Sequence, residues 1–263
     1  MRQYPAKNLS VSSFIVAVLL GLLVVDADFA LADSKSDSRS DCKDLPSYAE
    51  LKTALTTARN SDNGGFDLDM WATVVNRDGV VCAVAFTGKD RGDQWPGSRV
   101  ISAQKANTAN AFSLPGLALS TANLYTAVQP GNSLFGLQES NPVDTNVAYG
   151  GNAQNYGQPN DPMVGKKIGG VNVFGGGLGL YNAAGTLIGA VGVSGDSSCA
   201  DHNIAWRTRH GLHLDYVPHT TKITGDNTRP DNIVFTAGSP WQHPLCNVTG
   251  NEASIAATLP AVP

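Results

Sequence analysis

The sequence predicts an α+β fold on three observations. Residues 171–180 and 186–193 read as two strands joined by the turn Asn182-Ala183-Ala184-Gly185. Residues 70–75 and 80–86 read as a second strand pair around Asn76-Arg77-Asp78-Gly79, with Asp-Gly at the tip. Segments with helical spacing precede, separate and follow these hairpins. The run Leu187-Ile188-Gly189-Ala190-Val191-Gly192-Val193 is apolar throughout, as a strand covered on both faces is. Gly189 and Gly192 leave gaps in it where another backbone or a ligand can come close.

The first residues have the pattern of a leader. Arg2 and Lys7 make a positive start, residues 14–25 an apolar core, and Ala30-Leu31-Ala32 a small-residue cleavage site. The core is shorter than the roughly 20 residues a membrane span needs. The expectation is a signal peptide over 1–32, cleaved after Ala32, and a periplasmic or secreted chain free of the membrane. An uncleaved anchor is the alternative, because Asp26 and Asp28 lie between core and site. The remaining chain is long enough for one good-sized core and short for two domains. A net charge of −4 with no basic run argues against nucleic acid as partner.

All four cysteines, Cys42, Cys82, Cys199 and Cys246, lie beyond the cleavage site. An even count in an exported chain favours two disulfides, with three connectivities open. Pairing Cys42 with Cys82 and Cys199 with Cys246 is preferred, because the second bond would tether the C-terminal tail. Without a C-x-x-C or any close ligand pair, redox and zinc roles lack support, and no metal site is expected.

The elements follow in order. Residues 33–44 are polar and read as a flexible N-terminus. In 46–60, Ser47 and Glu50 form a capping box, and Tyr48, Leu51, Leu55 and Ala58 fall at helical spacing. After the first hairpin comes a charged loop, 87–97, holding Arg91-Gly92-Asp93; a polar loop is the plain reading of that tripeptide. Residues 98–112 form a helix whose Ala103, Ala106, Ala109 and Ala111 let it lie close on a sheet. Residues 120–128 read as a shorter helix. The Asn-, Gly- and Pro-rich stretch 141–167 reads as a long ordered loop or insertion. Residues 199–214 form the last long helix, capped near Ser197 or Ser198. Beyond it, 215–263 is an extension with a candidate strand at 233–235.

Local motifs narrow the chemistry. Gly175-Gly176-Gly177 lacks phosphate-loop spacing and leads into a strand. Gly192-Val193-Ser194-Gly195 misses a nucleophile elbow by one residue, because Asp196 stands at the second glycine. Four of the five histidines lie within 202–219. His202, Trp206 and His210 share a helix face. His202 and His210 stand roughly 12 Å apart, too far to share an ion. Either alone has the chemistry of an axial haem ligand, although spacing alone favours an ordinary polar face.

Together these residues resemble the GlcG/HbpS family of haem-binding proteins. The resemblance rests on Arg77-Asp78-Gly79, Arg91 and Asp93, and on Ser98 followed by Ala103-Gln104-Lys105-Ala106-Asn107-Thr108-Ala109. It continues through Gly175-Gly176-Gly177, Gly185, the run from Ile188 to Gly195, and Asp201. It covers about 48–214 within a domain placed at 45–214, with 141–167 longer than the usual family loop. It implies a profilin-like antiparallel sheet flanked by helices, built into homo-oligomers, and binding of haem or a related tetrapyrrole. The residues expected to serve haem are His202 and His210 as iron ligands, with Tyr181 or a threonine hydroxyl as alternative, Trp206 for ring contact, and Arg91, Arg207 or Lys105 for the propionates. Two other functions stay open: a small-molecule enzyme using Ser194, Asp201 and His202, and an interaction module presenting 141–167.

Overall fold

The computed structural model describes residues 42–263. The leader and most of the expected flexible N-terminus lie outside the described residues. Helix α1 is Tyr48–Arg59, followed by strands β1, Trp71–Asn76, and β2, Val81–Phe86, and helix α2, Ser98–Phe112. A single turn, α3, Thr145–Ala148, precedes β3, Gly177–Tyr181, and β4, Leu187–Ser194; helices α4, Ser198–Gly211, and α5, Glu252–Ala257, complete the chain. The four strands form one antiparallel sheet in the order β2-β1-β4-β3. The fold is α+β, as predicted.

Strand periodicity divides the sheet between two cores. On β1, Trp71 and Val75 face α2 with Val81, Val84 and Phe86 of β2, while Ala72 and Val74 face the opposite core. That opposite core is covered by α1, through Leu51 and Leu55, and by α4, through Ile204, Ala205 and Trp206. Strand β4 is therefore covered on both faces, and its glycines have the expected use. A Cβ at Gly192 would overlap the Ser102 carbonyl and the Ala106 amide of α2, and one at Gly189 the Val75 carbonyl of β1. Only a residue without a Cβ admits backbone this close.

Helix α1 begins as its sequence demands. The Ser47 hydroxyl accepts from the Glu50 amide, and the Glu50 carboxylate accepts from the Ser47 amide at 2.8 Å. Both disulfides form with the preferred pairing, Cys42–Cys82 and Cys199–Cys246. The first anchors the end of the segment expected to be flexible. Within 141–167, Asp161 takes the buried Arg99 guanidinium, with Nε 2.9 Å from Oδ2.

Three elements differ from expectation. The strand predicted over 171–180 begins only at Gly177. Gly170 and Gly176 take positive φ values of 78° and 115°, and Val171 and Val173 pack sideways on Leu119 and Leu124. The helix expected over 120–128 is two 3₁₀ turns, Thr121–Leu124 and Thr126–Val128. Residues 233–235 contribute one bridge, Val234 to Gln242, rather than a strand.

The extension packs onto the α4 side of the sheet. Ile233, Ala256, Leu259 and Val262 join that core, and Trp206 Nε1–H donates to the Pro260 carbonyl at 2.9 Å. Asp231 meets Arg209 through two bonds, 2.6 and 2.9 Å, with both side chains fully enclosed.

Candidate ligand-binding groove

Helix α4 carries most of the predicted site residues, and the extension decides which of them remain accessible. His202 is fully buried, with Nε2 3.0 Å from Asn232 Oδ1 and 3.1 Å from the Ile233 amide. Burial lowers it to about 3, so it stays neutral at physiological pH. Trp206 is 1% exposed, and its indole N–H is committed to Pro260. Tyr181 is enclosed, its hydroxyl donating to the Leu114 carbonyl at 3.0 Å, and burial pushes its phenol up. Lys105 Nζ reaches Asp201 Oδ2 at 2.6 Å and the Val193 carbonyl at 3.1 Å. Burial pushes Lys105 down and Asp201 up to about 6, and the charge of each partner opposes both shifts. Arg91 stays in the loop after β2, distant from α4 in the chain, with a 3.5 Å contact to Gln154. None of these five residues lies beside His210 in the cavity that it lines: the extension and the sheet enclose His202 and Trp206, Tyr181 and Lys105 are buried on β3 and α2, and Arg91 belongs to the loop after β2.

Ser194, Asp201 and His202 are likewise buried, and among the described residues no hydrogen bond links them to one another. Asp201 is occupied by Lys105 and by the Asp196 amide, at 2.9 Å. The arrangement lacks the nucleophile–base contact that covalent catalysis requires.

His210 is different. Its side chain is 46% exposed and lines a cavity of about 920 Å³ between α1 and α4. Ala49, Thr53, Ala54 and Thr57 of α1 form one wall, short side chains that leave the space open. Leu45, Leu212, Leu214 and Pro260 make apolar surface, and the charged groups are Lys43 and Arg207 together with Asp44 and Glu50. His210 Nδ1–H donates to Asp215 Oδ2 at 2.6 Å, and Asp215 is itself buried. With Nδ1 engaged by Asp215, Nε2 is the ring nitrogen left without a protein partner among the described residues. An imidazole oriented through Nδ1 by a carboxylate is the usual build of a metal-ligating histidine.

The turn that brings Asp215 back to His210 follows from the end of α4. The Leu214 amide donates to Arg209 O and the His213 amide to His210 O, the paired bonds of a Schellman motif. The left-handed position is filled by His213, at φ 56°, where glycine is usual. Gly211 lies two residues too early to mark it. Sequence reasoning missed Asp215, Lys43 and the α1 wall; the available signal was a histidine in the last helical turn followed five residues later by a carboxylate.

No curated protein matches the sequence. Among solved structures, Klebsiella pneumoniae protein ORFY is 24% identical with a TM-score of 0.43, over 64% of this chain and 90% of that one. The PduOC–haem complex is 24% identical with a TM-score of 0.42, over 63% and 94%. HbpS is 17% identical with a TM-score of 0.39, over 62% and 84%. A family model described as haem degrading protein HbpS-like matches residues 49–209. With a match spanning more than half of its 263 residues, the chain belongs to the HbpS-like family.

Proposed function

We propose that this protein is an exported haem-binding protein that sequesters or carries haem, and that haem occupies the groove between α1 and α4. The observation that carries the reading is His210, which lines the groove with its Nδ1 held by Asp215 and its Nε2 without a protein partner among the described residues. The cavity, about 920 Å³, has the size of a cofactor site, with apolar surface beside polar and charged groups. His210 would ligate the iron, Lys43 and Arg207 would meet the propionates, and Leu45, Leu212 and Leu214 would cover the macrocycle. Bound haem supplies an iron centre whose reactivity is set by its axial ligand and by the polarity around it.

Export fits this reading. The sequence begins with a leader pattern, the described residues hold two disulfides, and none of their helices is long and apolar enough to cross a membrane. Assembly into homo-oligomers, implied by the resemblance, belongs to the same proposal and is read by light scattering.

A haemin titration followed by absorbance tests the function. One saturable site per chain with a stable Soret band supports carriage. Progressive bleaching of bound haem under a reductant would replace carriage by degradation, the activity in the family's description. Absence of saturable binding at micromolar haemin would remove the proposal.

A further inference from the structure

The segment leading to Cys246 returns to the start of α4 and gathers three donors with affinity for soft metals. Cys199 Sγ, Cys246 Sγ and a ring nitrogen of His243 lie within 4.8 Å of one another, the one such group among the described residues. The two sulfurs are joined as a disulfide. His243 is buried, with Nε2 2.7 Å from Ser198 Oγ and Nδ1 2.7 Å from the Pro244 carbonyl. Cys199 is 1% exposed, whereas Cys246 is half-buried and follows the exposed Pro244 and Leu245. An incoming thiolate therefore reaches this bond from the Cys246 side.

We propose that reduction by a dithiol turns this disulfide into a Cys₂His site for one thiophilic ion of the Zn²⁺ class. The dithiol gives two electrons and two protons and leaves as its own disulfide, while Cys199 and Cys246 become thiols. Binding of the ion releases both thiol protons, and the thiolates and His243 imidazole become its ligands. Tetrahedral zinc, with bonds of about 2.3 Å to sulfur and about 2.0 Å to nitrogen, sets its donor atoms roughly 3.5–3.8 Å apart. The sulfurs must separate to that distance, and the imidazole exchanges one of its two hydrogen bonds for the metal. The fourth position is left to water at the half-buried Cys246 edge. Disulfide and metal exclude each other, so the site is a switch that reads thiol redox state. This inference is independent of the haem reading, since His243 and Cys246 lie outside the groove.

The test uses a Cys42→Ser/Cys82→Ser chain, in which reduction concerns one disulfide. The protein is reduced, freed of reductant, and titrated with Zn²⁺ against a chromophoric chelator; Co²⁺ reports the ligand field. One ion per reduced chain, none per oxidised chain, and a tetrahedral thiolate spectrum with Co²⁺ are expected. Cys246→Ser should abolish binding, and His243→Ala should weaken it about tenfold or more and shift the Co²⁺ spectrum. If the reduced chain competes no better than the oxidised one, the site does not exist. If His243→Ala binds as tightly as its parent with an unchanged spectrum, the ion is held by exposed thiols alone and the proposal fails.

Discussion

Acid should destabilise this fold through two buried histidines, His202 and His243. Burial lowers His202 from 6.5 to about 3 and His243 from 6.5 to about 4. When folding depresses a histidine, the unfolded chain binds more protons between the two values. The associated stability is complete above about 6.5 and is lost as pH falls toward the folded value. At about pH 5, with about 1.4 kcal/mol per tenfold change in protonation, each histidine has cost about 2 kcal/mol relative to about pH 7.5. Asp201 works in the opposite sense, because burial raises it from 3.8 to about 6. Its proton uptake in the folded state offsets about 1 kcal/mol, leaving a net loss of about 3 kcal/mol. Urea unfolding at the two pH values measures this difference. His202→Gln retains an amide donor for Asn232 and cannot titrate, so it should remove about 2 kcal/mol of the dependence. Equal unfolding free energies at both pH values, or a His202→Gln chain with the full parental loss, would refute the reasoning.

Three further outcomes are expected. Gly192→Ala drives a methyl into the α2 backbone and should cost about 1–3 kcal/mol or more, read as a lower urea midpoint; an unchanged midpoint contradicts the close packing of α2 on β4. Asp231→Ala leaves the enclosed Arg209 guanidinium unpaired and should cost about 3–5 kcal/mol, with Asp231→Asn losing less. His213→Gly relieves the left-handed position and should raise stability by about 0.5–1 kcal/mol in thermal unfolding, the opposite sign to most glycine substitutions.

Features encoded by neighbouring residues were legible in the sequence. The Ser47–Glu50 box starts α1, the apolar run at 187–193 is a doubly covered strand, and Gly189 and Gly192 are where backbone approaches. The disulfide pairing followed from the need to tether the tail. Features set by distant chain were not legible. Helical spacing correctly put His202, Trp206 and His210 along one side of α4, but spacing carries no information on what covers that side. The extension, through Asn232, Pro260 and Asp231, closes over the first two and leaves the end of the helix open. The strand expected from 171 fails because glycines with positive φ flank two valines that have a different core to join. Asp215 escaped notice because the motif that returns it to His210 uses histidine where glycine would have signalled the turn.

The central claim, that His210 holds haem in the groove between α1 and α4, is tested most directly by parallel haemin titrations of the parent, His210→Ala and Asp215→Asn chains. The account predicts a saturable Soret band in the parent, a shifted band and at least about tenfold weaker binding in His210→Ala, and an intermediate loss in Asp215→Asn as its imidazole loses its orienting carboxylate. A parent that binds haemin while His210→Ala keeps both the same Soret position and the same affinity would contradict it.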